Sequence, residues 1–175
     1  SYSASTSFCI GLIACGLYSW DRQDSTLHKS NMSIYATVGV TGLFGVGVEG
    51  KNFTKHNRWH LNYLLAFAHL PTRFWGIGYE KGHYDNKYFG SYRGFTIQCK
   101  PDALYNLGRN CFLGPMVDFE FMNTFDKTYL PDGANPFLDA DGTDLPTTTI
   151  NLGLGGMFNY DSRDFPLNAH KGIFI

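Results

Sequence analysis

Residues 150–161 read INLGLGGMFNYD and decide the fold, because mainly apolar residues alternate along the chain with small or polar ones. One set of positions is mainly apolar: Ile150, Leu152, Leu154, Gly156, Phe158 and Tyr160. The other set is small or polar: Asn151, Gly153, Gly155, Asn159 and Asp161. Successive side chains of a β-strand point to opposite faces, so a period of two predicts a strand with one apolar face.

The same alternation recurs along the chain and predicts about eight strands. The other seven predicted strands lie at residues 6–20, 32–41, 44–49, 59–69, 93–100 and 113–121, with the last beginning at Lys171 and cut off at Ile175. Residues 105–110 are predicted to form a short turn, and residues 70–90 to be mostly irregular. Residues 126–146 carry three prolines and two glycines and are predicted to form a long polar loop.

Composition favours a sheet protein and gives no case for nucleic-acid binding. Aromatic residues make up 17% of the 175 residues, 20 residues are glycine, and charged residues are only 17%, against roughly 25% in soluble domains. The formal net charge is -1, and Lys and Arg are scattered, so no basic patch is indicated. The mean hydropathy of -0.20 is compatible with a membrane barrel, whose strands each carry one polar face.

Strands with one apolar and one polar face, joined by alternately short and long connections, are typical of a transmembrane barrel. No run of 18 or more apolar residues occurs, so a membrane-spanning form requires a closed barrel. The sequence therefore predicts an all-β chain, with residues 1–175 forming a single antiparallel transmembrane β-barrel domain or a fragment of a larger barrel that ends within a strand. A soluble sandwich or lipocalin-like barrel also alternates, with its apolar face inward. The period alone does not decide which face meets water.

A charged turn follows the clearest strand and carries a resemblance to a known family. Residues 160–172 read YDSRDFPLNAHKG. This run resembles the turn motif of the bacterial surface antigen family of BamA/TamA type, which links two strands of the barrel domain. The residues assigned to the motif are Tyr160, Asp161, Arg163, Asp164, Pro166, Lys171 and Gly172, while Ala169 stands in place of a second proline.

The resemblance implies an outer-membrane protein of a Gram-negative bacterium that acts without catalysis in insertion or translocation of proteins or lipids. Its implied partners are the lipid bilayer and other outer-membrane or periplasmic proteins, with no cofactor. Family barrels have about twice the strands predicted here, so the remaining strands are expected from elsewhere. At the turn itself, Pro166 is expected to fix the backbone and Gly172 to let the next strand begin without a side-chain clash.

One acidic loop offers a weak calcium candidate. Asp139, Asp141 and Asp144 are spaced like the first half of a calcium loop, and Gly142 permits a sharp turn. The distal Glu that completes an EF-hand is absent, so a solvated acidic loop is the preferred interpretation. The six histidines are dispersed and predict no metal pair.

The remaining reactive residues give no specific catalytic motif. Cys9, Cys15, Cys99 and Cys111 lack zinc spacing and are interpreted as small apolar strand residues, although two disulfides are compatible with the sequence. A lipid-modifying enzyme on a small barrel would need a triad such as Ser91, His69 and Asp118 to converge. The alternatives to the insertion role are therefore such an enzyme, a passive pore, or a soluble β-sandwich binding module.

Overall fold

A computed structural model describes residues 2–3, 7–20, 28–78, 86–131, 133–139, 141–163 and 170–175. The strands within these residues are β1 (Tyr2–Ser3), β2 (Ser7–Tyr18), β3 (Ser30–Gly39), β4 (Phe44–Phe53), β5 (Trp59–Phe74), β6 (Gly90–Cys99), β7 (Asp102–Gly108), β8 (Cys111–Tyr129) and β9 (Thr148–Tyr160). Two single-turn 3-10 segments lie at Lys55–Asn57 and Asn86–Tyr88. Among the described residues, no helix is long and apolar enough to cross a membrane.

The strands form one antiparallel sheet in which neighbours along the chain are neighbours in space, apart from β6 and β7. Both of these lie between β5 and β8 and continue one register: Leu65 faces Cys99, and Asn62 faces Asp102. Pro101 lacks an N–H group and separates them, so β6 and β7 fill one strand position. The sheet curls into a small barrel, which confirms the all-β antiparallel prediction.

Seven of the eight predicted strands are found, with several boundaries wrong, while the strand predicted from Lys171 is only an isolated bridge between Phe174 and Asp161. The turn predicted at residues 105–110 is only two residues long, because β7 runs to Gly108 and β8 begins at Cys111. β5 continues to Phe74 and β8 to Tyr129, into segments predicted as loops. In each case a neighbouring strand supplies hydrogen-bond partners that the local sequence does not reveal.

The two faces of the sheet differ sharply. Its outer face carries apolar side chains that remain exposed, among them Leu12 at 78%, Ile34 at 51% and Leu154 at 77%. Packing of the apolar residues of β2, β3 and β9 on one another would have favoured the soluble-sandwich alternative; in the structure these residues are exposed and belong to a single sheet. The inner face carries the polar and glycine positions of the same strands.

The first and last long strands are the most exposed parts of the sheet. Every residue at 10–17 on β2 and at 150–156 on β9 is exposed, whichever face it occupies. Among the described residues, no ladder joins β2 to β9. On the edge of β9 that faces away from β8, the described residues provide a partner only at the end of the strand. There Tyr160 exchanges two backbone hydrogen bonds with Ile175.

Candidate functional site: the polar inner face and its floor

A belt of charged side chains crosses the inner face at mid-height. The register places four carboxylates and two ammonium groups on this face of β4, β6 and its continuation, and β8. The members of this polar belt, with Lys100 in the short link between β6 and β7, are Glu49, Lys51, Lys100, Asp102, Asp118 and Glu120. Charges are placed on this face because each occupies the small or polar phase of its strand's alternation.

Hydrogen bonds and one ion pair tie the polar belt together across strands. Lys100 Nζ lies 3.0 Å from Asp118 Oδ2, and the Asn62 amide donates to Asp102 over 2.6 Å. Higher on the face, the Gln98 amide donates to Glu120 over 3.2 Å. These contacts link β5, β6, β7 and β8 through side chains in addition to their backbone ladders.

A cavity of about 240 Å³ lies against this belt. Its lining combines both belt lysines with Glu49, Asp102 and the amides of Asn31 and Asn62. A wall with cations, anions and neutral amides suits water and small polar solutes better than an apolar ligand. The inner face therefore provides a polar, charged compartment.

Below the polar belt the inner face becomes aromatic and tightly packed. We call this layer the floor and define it as Phe53, His60, Leu104 and Phe112, from β4, β5, β7 and β8. The His60 ring stacks on Phe112 with centroids 3.9 Å apart and meets Phe53 edge-on at 4.6 Å. Leu104 and Phe112 are only 1% and 2% exposed. The floor is thus the best-packed part of an otherwise open inner face.

The turn after β9 carries two charged residues of the motif, Asp161 and Arg163, and we call this pair the rim of the floor. Arg163 binds Asp161 with two parallel hydrogen bonds, from Nε to Oδ1 over 2.8 Å and from an outer nitrogen to Oδ2 over 2.7 Å. The same guanidinium lies 4.4 Å from the centre of the Phe174 ring. The hydrogen bonds from Arg163 hold the pKa of the Asp161 carboxyl below its usual range.

His28, from the connection between β2 and β3, approaches the rim from the opposite end of the sheet. Its ring contacts Phe53 edge-on with centroids 5.5 Å apart. Burial lowers the pKa of His28, and Arg163 lowers it further, while the Asp161 carboxylate opposes both. The first connection and the turn after β9 therefore come within electrostatic reach of each other at the floor.

The seven motif residues divide into a described and an undescribed part. Tyr160, Asp161, Arg163, Lys171 and Gly172 lie in the described chain, while Asp164 and Pro166 lie outside the described residues. Gly172 has φ +110°, and a Cβ there would lie 2.6 Å from Cα of Arg163 and clash with the Ser162 carbonyl. The position accepts only glycine without backbone movement.

The weaker candidates of the sequence are not assembled into sites by the described residues. Within them, no three His, Cys, Asp or Glu side chains converge to hold a metal ion; the loop with Asp139, Asp141 and Asp144 instead forms a tight turn in which Gly142 N–H donates to the Asp139 carbonyl. None of the four cysteines forms a disulfide bond in the structure.

The example triad is also separated. His69 contacts Phe125 on the outer face, whereas Asp118 pairs with Lys100 on the inner face. Ser91 lies within hydrogen-bond distance of Thr128.

Sequence reasoning missed the floor because its members are far apart in the chain. His60 and Phe112 share the inner face only through the register of β5, β7 and β8. A local signal did exist: His60 and Phe112 fall in the polar phase of their strands, where an aromatic ring is unexpected.

No family model, curated protein or solved structure matches the chain.

Proposed function

We propose that this chain is an outer-membrane β-barrel protein of a Gram-negative bacterium that acts in insertion or translocation of proteins or lipids without chemical catalysis. The observation that supports this most strongly is the bare apolar outer face. Large apolar side chains more than half exposed occur on β2, β3 and β9. Contiguous apolar surface on this scale marks contact with a membrane or with another protein.

The outer face has further features of a lipid-facing surface. An aromatic row crosses four strand positions, with centroids 5.9 Å apart for Phe44 and Phe67, 6.0 Å for Phe67 and Phe95, and 5.7 Å for Phe95 and Phe121. Trp59 and Tyr105 pair near the opposite strand ends, 4.9 Å apart. Aromatic residues near strand ends are typical of membrane barrels at the lipid–water interface.

The insertion role rests on the family resemblance and is favoured by the exposed sheet edges. Among the described residues, β2 pairs with β1 and β3 and β9 with β8, and no ladder covers their other edges over most of their length. Unpaired edges are costly in lipid and accept further strands. We therefore propose that these edges accept further strands, with the bilayer and other outer-membrane or periplasmic proteins as partners of the barrel.

A passive pore is the second candidate, because the inner face is polar and charged. The floor argues against it, since a packed layer of Phe53, His60, Leu104 and Phe112 leaves little room for solutes at that end. The insertion role is thus the better supported of the two.

Reconstitution into lipid vesicles tests the proposed function. We expect vesicles holding the folded chain to accelerate the folding of a denatured outer-membrane barrel client, or the transbilayer movement of a fluorescent phospholipid. The control is vesicles holding an equal amount of an unrelated closed barrel. Rates equal to the control in both assays would contradict the proposal.

A further inference from the structure

The floor points to a second property of the inner compartment. We infer that the floor is a seal that keeps the inside of the barrel closed to ions, and that opening it creates a cation-preferring path along the polar belt. This inference rests on the proposed membrane location. It concerns the inner face alone and so can fail while the membrane location stands.

The packing of the floor carries the first step. Its four side chains come from four successive strand positions, and each is less than a tenth exposed. The stacked pair His60 and Phe112 spans the width of β7, with Leu104 beneath it. Hydrophobic constrictions block ions by excluding the water that must accompany them.

The rim extends this seal around the end of the barrel. His28 contacts Phe53 from the side of β2 and β3, while Asp161 and Arg163, in the turn after β9, lie within electrostatic reach of His28. The His60 ring is held in place by a 2.7 Å hydrogen bond to the Asn57 amide oxygen in the connection between β4 and β5. Groups from both ends of the sheet therefore meet at the floor.

The charges above the floor set the expected preference. The polar belt has four carboxylates and two ammonium groups, and one of these, Lys100, is already paired with Asp118. Asp102 accepts a hydrogen bond from the neutral amide of Asn62. An excess of carboxylates along a path attracts cations and repels anions.

Single-channel recording in planar lipid bilayers tests the inference. The chain itself is expected to give no steady conductance steps. The double variant His60→Ala with Phe112→Ala is expected to give steps with a reversal potential that favours K⁺ over Cl⁻. Met122→Ala is the matched control, because it truncates an inner-face side chain of the same strand β8 above the floor and is expected to stay closed.

A charge substitution tests the role of the polar belt separately. Glu120→Lys, added to the double variant, is expected to shift the reversal potential toward Cl⁻. An unchanged reversal potential would contradict the assignment of the path to the polar belt.

Insertion is measured independently by flotation of vesicles, so that each failure has one meaning. Steady conductance from the inserted unaltered chain, or an inserted double variant that stays closed, would overturn the seal. If the double variant does not insert, Phe112→Ala alone takes its place and is expected to give intermittent steps; its silence once inserted would equally overturn the inference. Failure of the unaltered chain itself to insert would instead contradict the proposed function.

Discussion

Gly172 shows how one residue fixes the turn that follows β9. Its φ of +110° is open to glycine but strained for other residues, and backbone atoms of Ser162 and Arg163 fill the space where a Cβ would lie. This turn positions Asp161, whose backbone N–H donates to the Asn110 carbonyl over 2.9 Å. A glycine far along the chain therefore holds the rim of the floor.

Gly172→Ala is expected to destabilise the folded chain by more than the roughly 1–2 kcal/mol of left-handed strain alone, because a backbone clash is added to it. Gly42→Ala is the matched control: Gly42 has φ +87° but no atom within 4 Å of the added Cβ. Urea titration of the two variants in detergent, followed by the loss of the heat-sensitive folded band on a gel, compares them. Equal shifts in the midpoint would show that the clash is relieved at no cost.

His28 provides a test of the rim's electrostatics. Its pKa is lowered by burial and by Arg163, and raised by Asp161. Arg163→Gln removes the positive charge that lowers the pKa of His28 and leaves the Asp161 carboxylate that raises it, so this pKa is expected to rise. Arg58→Gln, which removes an exposed cation from the connection between β4 and β5, is the control and is expected to leave it unchanged. NMR titration of the imidazole protons measures both, and an unchanged or lower pKa in Arg163→Gln would refute the assignment.

The sign of the pH effect follows from the same groups. Because the pKa of His28 is lower in the folded state, folding favours its neutral form. Its contribution to the free energy of unfolding is therefore complete above the unfolded pKa near 6.5 and is lost as the pH falls below that value. Asp161, whose pKa is also lowered, contributes above its unfolded value near 3.8 and loses this at lower pH. The rim is expected to loosen in two steps on acidification, seen as lower protection of the amides of residues 160–163 against hydrogen exchange, relative to the intrinsic exchange rate at each pH.

At the scale of strands, alternation predicted most elements, and pairing decided their ends. β9 was predicted closely because Leu152 and Leu154 alternate with Asn151 and Gly153 without interruption. β7 was missed because Asn106 and Gly108 are typical of turns, yet the segment continues the ladder of β5. A short stretch of sequence does not show which residues of a distant strand it pairs with. The floor could not be predicted for the same reason, because its residues meet only through the pairing of β4 with β5, β5 with β7, and β7 with β8.

Neighbouring residues on β9 test which face meets lipid. Leu152 lies on the outer face and Asn151 on the inner face, and both are exposed. Leu152→Arg is expected to cost roughly 2–4 kcal/mol if it lies near the bilayer midplane, whereas Asn151→Arg faces a polar compartment and costs far less. The yield of heat-modifiable protein after folding into vesicles compares the two. A larger loss for Asn151→Arg would reverse the assignment of the faces.

At the scale of the whole molecule, the sheet curls into a small barrel with an apolar outer face, and no ladder joins β2 to β9 in the part of the chain that the structure describes. Because neighbouring strands are antiparallel and β6 with β7 fill one position, β2 and β9 run in the same direction. The segment that pairs with Tyr160, Asp161 and Ser162 runs antiparallel to β9. The prediction of a larger barrel is consistent with this geometry and remains a prediction.

The most direct test of the central claim, that the apolar outer face meets lipid, is the behaviour of the purified chain when detergent is removed. We predict that the chain stays monodisperse only with detergent or lipid, shows sheet-type circular dichroism, and migrates differently on a gel before and after boiling. A chain that stays monomeric and monodisperse without detergent, with no shift on boiling, would contradict the membrane assignment and the functions proposed from it.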